Sequence, residues 1–179
     1  MLVAICHCAE GYVRLGGGSF LIFFDWIYMT TINNPDGPTS STSSDNAITC
    51  QRIAEASRME ATHTLFGLHF PLRLEPTVFN MAGMLSEQYQ GGSWEFYALS
   101  NGGFYVAPRA STSFTVTSEN GFAGPMSADA LGITACLYAY SHLSFAQNSF
   151  GELCANHYHW LREYALDHSE AGAIFAAID

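Results

Sequence analysis

Between residues 91 and 108 the chain alternates. Trp94, Phe96 and Ala98 stand on one parity and Glu95, Tyr97 and Leu99 on the other, the period-2 pattern of a half-buried strand. Asn101-Gly102 supplies the positive φ angles of a tight hairpin turn, and Phe104-Tyr105-Val106 makes the return. Ser113-Phe114-Thr115-Val116-Thr117 alternates again and is expected to add a third antiparallel strand, with turns at Asn120-Gly121 and Gly124-Pro125. Ile48-Thr49-Cys50 reads as a short strand.

The rest of the pattern is helical. Residues 55–66 form a first helix stopped by Gly67, and Pro71 breaks the chain. Pro76 suits a first helical turn, with Glu75 at its positive end; Val78, Phe79, Ala82, Leu85 and Tyr89 then make one stripe that Gly91-Gly92 ends. Ser127 is an N-cap, with Asp129 in the turn it opens. Residues 131–143 are apolar almost all round, which places that helix at the centre, and Gly132, Ala135 and Ala139 give it a narrow side. Leu153, His157, Trp160, Leu161 and Tyr164 share a face of a helix over 152–168, and Ser169 is expected to cap a last short one carrying Ile174, Phe175 and Ile178. The sum is an α+β domain, a small antiparallel sheet of about three strands packed with four to five helices.

That domain is expected over 47–179. Residues 1–46 read as an extension that is poorly ordered or non-native. Its apolar run Phe20-Leu21-Ile22-Phe23-Phe24 is too short to span a bilayer. The stretch 30–44 is rich in Ser, Thr and Pro, the composition of a disordered leader, and Met29 is the expected biological start.

Charge narrows the function. The 179 residues carry a net charge of −10 and no lysine; the six basic residues are Arg14, Arg52, Arg58, Arg73, Arg109 and Arg162. This excludes a P-loop lysine, a Schiff base and a lysine general base. The arginines are scattered along the sequence, so no basic footprint for nucleic acid is expected. DNA mimicry is not favoured either. A duplex about 40 Å long carries roughly 24 phosphates, at one per about 1.7 Å, well above the charge here. Asp and Glu also occur singly, the pattern of a solvated acidic surface.

The five cysteines, Cys6, Cys8, Cys50, Cys136 and Cys154, match no disulfide framework and fit a reducing cytoplasm. Cys6-His7-Cys8 makes a poor zinc half-site. No metal or cofactor is expected. His157 and His159, two apart on a helix, point to different faces, one into the core and one to the surface. His142 is read as serving the negative end of the central helix. Glu75, Glu95 and Glu163 are explained by a helix start, a strand's outer face and a helix surface. No nucleophile elbow or dinucleotide loop occurs. A Cys154–His142 pair formed on folding is the enzymatic alternative.

One ordered set of motifs resembles a known family. Leu74-Glu75-Pro76 and a helix precede Gly91-Gly92-Ser93-Trp94-Glu95-Phe96-Tyr97. Leu99-Ser100-Asn101-Gly102-Gly103, an aromatic return strand and Ala107-Pro108 follow, then 126–133 and 157–165. The set, from about Arg58 to Asp179, resembles the ArdB/KlcA-type antirestriction proteins of plasmids and other mobile DNA. The resemblance implies inhibition of type I restriction endonucleases, without catalytic residues. The implied partner is the type I restriction-modification complex or a host factor that controls it; from the charge and the short apolar run, no direct nucleic acid binding and no membrane are expected. A general interaction module on mobile DNA is the other alternative. Trp94, Tyr97, Asn101 and Tyr105 are the candidate partner contacts, because aromatic residues often anchor interfaces and a hairpin tip is exposed, although a core position is favoured for Trp94 and turn geometry is the simpler explanation of the tip.

Overall fold

A computed structural model describes residues 47–179. The expectations for the leader, for a start at Met29 and for Cys6-His7-Cys8 lie outside the described residues. Five helices and five strands follow in the order β1 (Cys50–Arg52), α1 (Arg58–Phe66), α2 (Glu75–Leu85), β2 (Trp94–Leu99), β3 (Phe104–Pro108), β4 (Phe114–Thr117), β5 (Ala123–Met126), α3 (Ala128–Ser144), α4 (Ser149–Leu166) and α5 (Ala171–Ile178). The α+β architecture is as expected.

The hairpin of β2 and β3 closes with Tyr97 opposite Tyr105 and Ala98 opposite Phe104, and Gly102 takes φ 94° at its tip. The third strand of this sheet is not the segment expected. It is β1, which pairs Arg52 with Tyr97 and Cys50 with Leu99. β4 instead pairs with β5 in a separate two-stranded ribbon. Phe114 and Val116 of β4 face the core while Thr115 and Thr117 face solvent, so one ribbon face suffices to bury it. Gly121, φ 93°, makes the expected turn. Gly124-Pro125 does not turn; it lies in β5, where a two-stranded ribbon leaves an edge on which Pro needs no donor.

Helix boundaries shift for identifiable reasons. Pro71 does not break the chain. It enters a wide π-type turn (Phe70–Leu74) that runs straight into α2, at a position where the missing N–H costs no helical bond. α2 ends at Leu85, four residues before Tyr89, because Ser86 turns extended (φ −144°, ψ 117°). Tyr89 serves Trp94 instead: its hydroxyl accepts the indole Nε1–H at 2.8 Å, with the rings edge to face. Ser169 does not cap α5. Glu170 takes the N-cap position, and its carboxylate accepts from the Ser127 backbone N–H (2.9 Å) and hydroxyl, tying the start of α5 to the start of α3.

α3 is the central helix. Ser127 caps it by accepting from the Ala130 N–H at 3.1 Å. It packs on α2, α4 and β3, with Leu131, Ile133, Leu137 and Tyr140 inaccessible to solvent. Each such side chain contributes about 1.5–3 kcal/mol by leaving water, which outweighs any local propensity. Among the described residues no helix is long and apolar enough to cross a membrane.

Candidate functional site

Glu95 sits in β2, where alternation expected the outer face, yet only 8% of it is exposed. Three guanidinium groups enclose it. Arg52 Nε reaches Oε2 at 2.7 Å and Arg58 Nη2 reaches the same oxygen at 2.5 Å; Arg109 Nε donates to Oε1. Burial pushes the carboxyl up, but the hydrogen bonds and charges of Arg109 and Arg52 outweigh it and hold its pKa below the ordinary carboxylate value. The four residues come from β1, the first turn of α1, β2 and the position just after β3, so the cluster also clamps those elements together.

Arg58 is the inner member. Its Nη1 donates to the Trp94 carbonyl at 2.9 Å, its guanidinium carbon lies 5.0 Å from the Phe96 ring centroid, and its buried Nε has no partner among the described residues. Arg52 and Arg109 are the outer members, with about half of each side chain exposed. Three positive groups around one carboxylate leave a local surplus in an otherwise acidic chain.

Two clefts meet the cluster. One, of about 530 Å³, has a lining half polar and half apolar, its polar side chains being Glu95, Tyr97, Arg109, Ser111 and Asp129. Its wall includes Tyr97, which belongs to a tyrosine stack. Tyr97 lies on Tyr105 at 4.7 Å and 13°, and Tyr105 on Tyr164 at 5.9 Å and 26°. Tyr105 donates to Asp129 Oδ1 at 3.0 Å, and the Cys50 thiol lies 3.5 Å from the same hydroxyl. His168 Nδ1 accepts the Glu170 N–H, so the neutral ring carries its proton on Nε2 and donates to Asp129 Oδ2 at 3.2 Å. Burial, then the Cys50 charge and hydrogen bond, pushes the Tyr164 phenol up to about 12; burial, then the Cys50 hydrogen bond and Asp129, drives the Tyr105 phenol well above its ordinary value. These phenols are donors, not bases.

The other cleft, of about 410 Å³, is mostly apolar and lies between α1 and the π-type turn. Met59, Leu68, Phe70 and Phe96 line it with Arg58, and Glu75 stands at its edge, its carboxyl raised by burial. Met59 and Leu68 are 82% and 71% exposed.

The structure does not gather the expected contact residues on one surface. Trp94 and Tyr105 are buried, whereas Tyr97 is half-buried beside Arg109. Asn101 is half-buried at the hairpin tip and donates to the Trp160 carbonyl (2.9 Å) and to Glu163 (3.0 Å). His157 is buried and His159 exposed, as their spacing implies. No hydrogen bond joins Cys154 to His142. The Cys154 thiol is pushed up to about 12 by burial, and His142 is exposed on α3. Among the described residues no group of three or more His, Cys, Asp or Glu could hold a metal ion. Sequence reading missed Arg52, Arg58 and Arg109, which lie 43, 37 and 14 positions from Glu95.

The antirestriction protein family profile matches residues 87–179, just over half of the chain. The antirestriction protein KlcA of Escherichia coli is 43% identical over 137 residues, covering 74% of this chain and 94% of the relative. The chain belongs to the antirestriction protein family. A second Escherichia coli KlcA is 39% identical over 138 residues, 75% of this chain and 97% of the relative. A solved structure of the family is 38% identical with TM-score 0.71, covering 78% of this chain and all of that one. It comes from work on the KlcA and ArdB proteins, which show a novel fold and antirestriction activity against type I DNA restriction systems in vivo but not in vitro. The profile match includes Glu95 and Arg109; Arg52 and Arg58 precede it.

Proposed function

We propose that this chain is an antirestriction protein that lowers the activity of type I restriction systems on incoming unmodified DNA, acting by contact with a protein rather than by catalysis. What carries the reading is the KlcA likeness, which extends over nearly the whole length of that relative, together with the fold shared with the solved family structure. The partner is the type I restriction-modification complex or a host factor that controls it. Activity of the KlcA and ArdB proteins in cells but not in vitro favours a partner that purified restriction assays lack. A net charge of −10 argues against direct DNA binding.

The test is the plating efficiency of unmodified phage on a host with an active type I system, with and without this chain. A non-restricting host and modified phage are the controls. A rise of several orders of magnitude confined to the restricting host supports the reading; no rise from soluble, folded protein overturns it.

A further inference from the structure

We propose that the apolar cleft and the arginine cluster form one docking surface, and that its occupant is a segment of another protein carrying an apolar side chain next to a carboxylate. This rests on the antirestriction reading and deepens it by naming the partner's chemistry.

The two halves are continuous. Arg58 lines the apolar cleft and shares Glu95 Oε2 with Arg52, so the Arg58 side chain links the cleft to the exposed guanidinium of Arg52. Arg109 approaches from the other oxygen of the same carboxylate. The apolar half presents two large apolar side chains that stay mostly exposed among the described residues. Met59 and Leu68 stand in solvent over a floor made by Phe70 and Phe96. An adaptable methionine, aromatic groups and arginine are the residues that interfaces concentrate.

Charge complementarity selects the occupant. Arg52 and Arg109 each spend Nε on Glu95, and no side chain among the described residues accepts from their terminal nitrogens. These exposed edges suit a carboxylate, which a guanidinium can grip with two parallel bonds. The surplus is also bounded. Glu55 acts on Arg109 through its charge, and Asp129 stands across the cleft that Arg109 lines. The surface therefore accommodates one or two carboxylates and repels the continuous run of phosphates on DNA.

The experiment has two arms, both on the full chain. In cells, Met59→Glu with Leu68→Glu, and separately Arg52→Gln with Arg109→Gln, are assayed for phage protection, with thermal unfolding as the folding control. We expect the wild type to protect, and the Met59/Leu68 variant to lose at least tenfold of that protection while unfolding within a few degrees of wild type. Undiminished protection by this folded variant overturns the docking surface. Failure of the wild type itself overturns the antirestriction reading instead. The second arm decides the surface whatever the first shows. A synthetic peptide, Asp-Glu-Leu-Phe-Asp-Glu, is titrated into labelled wild type and followed by NMR, beside its Asn/Gln counterpart and a DNA duplex. Shifts at Met59, Phe96 and the Arg52 and Arg109 side chains with the acidic peptide alone support the proposal. No shift, or shifts with DNA only, overturns it. Self-association abolished by the same substitutions would assign the surface to a second copy of this chain and overturn it also.

Discussion

Gly132 of α3 lies against Ala107 of β3 so closely that a Cβ on Gly132 would stand 2.5 Å from the Ala107 Cα and 2.6 Å from the Val106 carbonyl oxygen. The atoms it would meet are backbone and the Ala107 Cβ, none of which can swing aside, and Arg109 directly follows β3. Gly132→Ala must therefore push the central helix off the sheet. The expected cost is about 2–3 kcal/mol, in the range of overpacked cores, despite the better helix propensity of alanine. Urea unfolding of the variant checks it; a stability equal to wild type would show that α3 can shift freely.

Glu95 is expected to hold the N-terminal elements to the sheet. Glu95→Ala leaves Arg58 buried with its Nη2 unpaired, and breaking a buried pair on one side is costly. Arg52 and Arg109 can return to water, so the expected loss is about 2 kcal/mol rather than the full penalty. The pH dependence has a definite sign. The carboxyl pKa is depressed in the folded state, so its contribution is present above the ordinary value of 4.5 and is lost as pH falls through the lower folded value. Unfolding of wild type and Glu95→Ala should converge in strong acid and differ by the full amount from pH 4.5 upward.

This cluster also shows where sequence reading stops. The β2–β3 hairpin was legible because Asn101-Gly102 and the flanking alternation are local signals. So was α3, whose apolar surface all round leaves it nowhere but the centre, and so was its close approach at Gly132. The partner of β2 on its other side was not legible, because β4 alternates more clearly than β1 and nothing local says that it folds onto β5. Burial of Glu95 was missed for the same reason. Alternation assigns a charged residue to solvent, and only the fold reveals three arginines from distant positions meeting it. Tyr89 continued a helical stripe by spacing alone, while its hydroxyl was needed by Trp94.

The hairpin tip should be structural as well as exposed. The Asn101 side chain accepts from the Gly103 N–H at 3.1 Å and donates to the Trp160 carbonyl and Glu163, so one residue fixes the turn and pins it to α4. Asn101→Ala removes all three bonds and leaves the Trp160 carbonyl to water. At about 0.5–1.5 kcal/mol per bond, discounted for the exposed Glu163 contact, the loss is about 1–2 kcal/mol. Hydrogen exchange should rise at Gly102 and Gly103. Unchanged stability with lost phage protection would instead make Asn101 a partner contact.

His157 sets an acid limit on the fold. Its ring packs 4.7 Å from Phe66, 5.4 Å from Tyr140 and edge-on to Trp160, and its buried Nδ1 has no partner among the described residues. No charged side chain is among these neighbours, so burial alone drives the pKa down to about 4. The sign follows from which form the fold excludes. The unfolded chain takes up a proton near pH 6.5, and the folded chain resists it until about pH 4. Stability is thus complete above pH 6.5 and falls between those values, by up to about 3 kcal/mol. His157→Phe keeps an aromatic ring in the stack and cannot be protonated. Its stability relative to wild type should rise steadily as pH is lowered from 7 to 4.5. Urea midpoints for both proteins at pH 7, 5.5 and 4.5 measure this. A difference independent of pH would mean that the folded protein accepts the proton on His157 without loss.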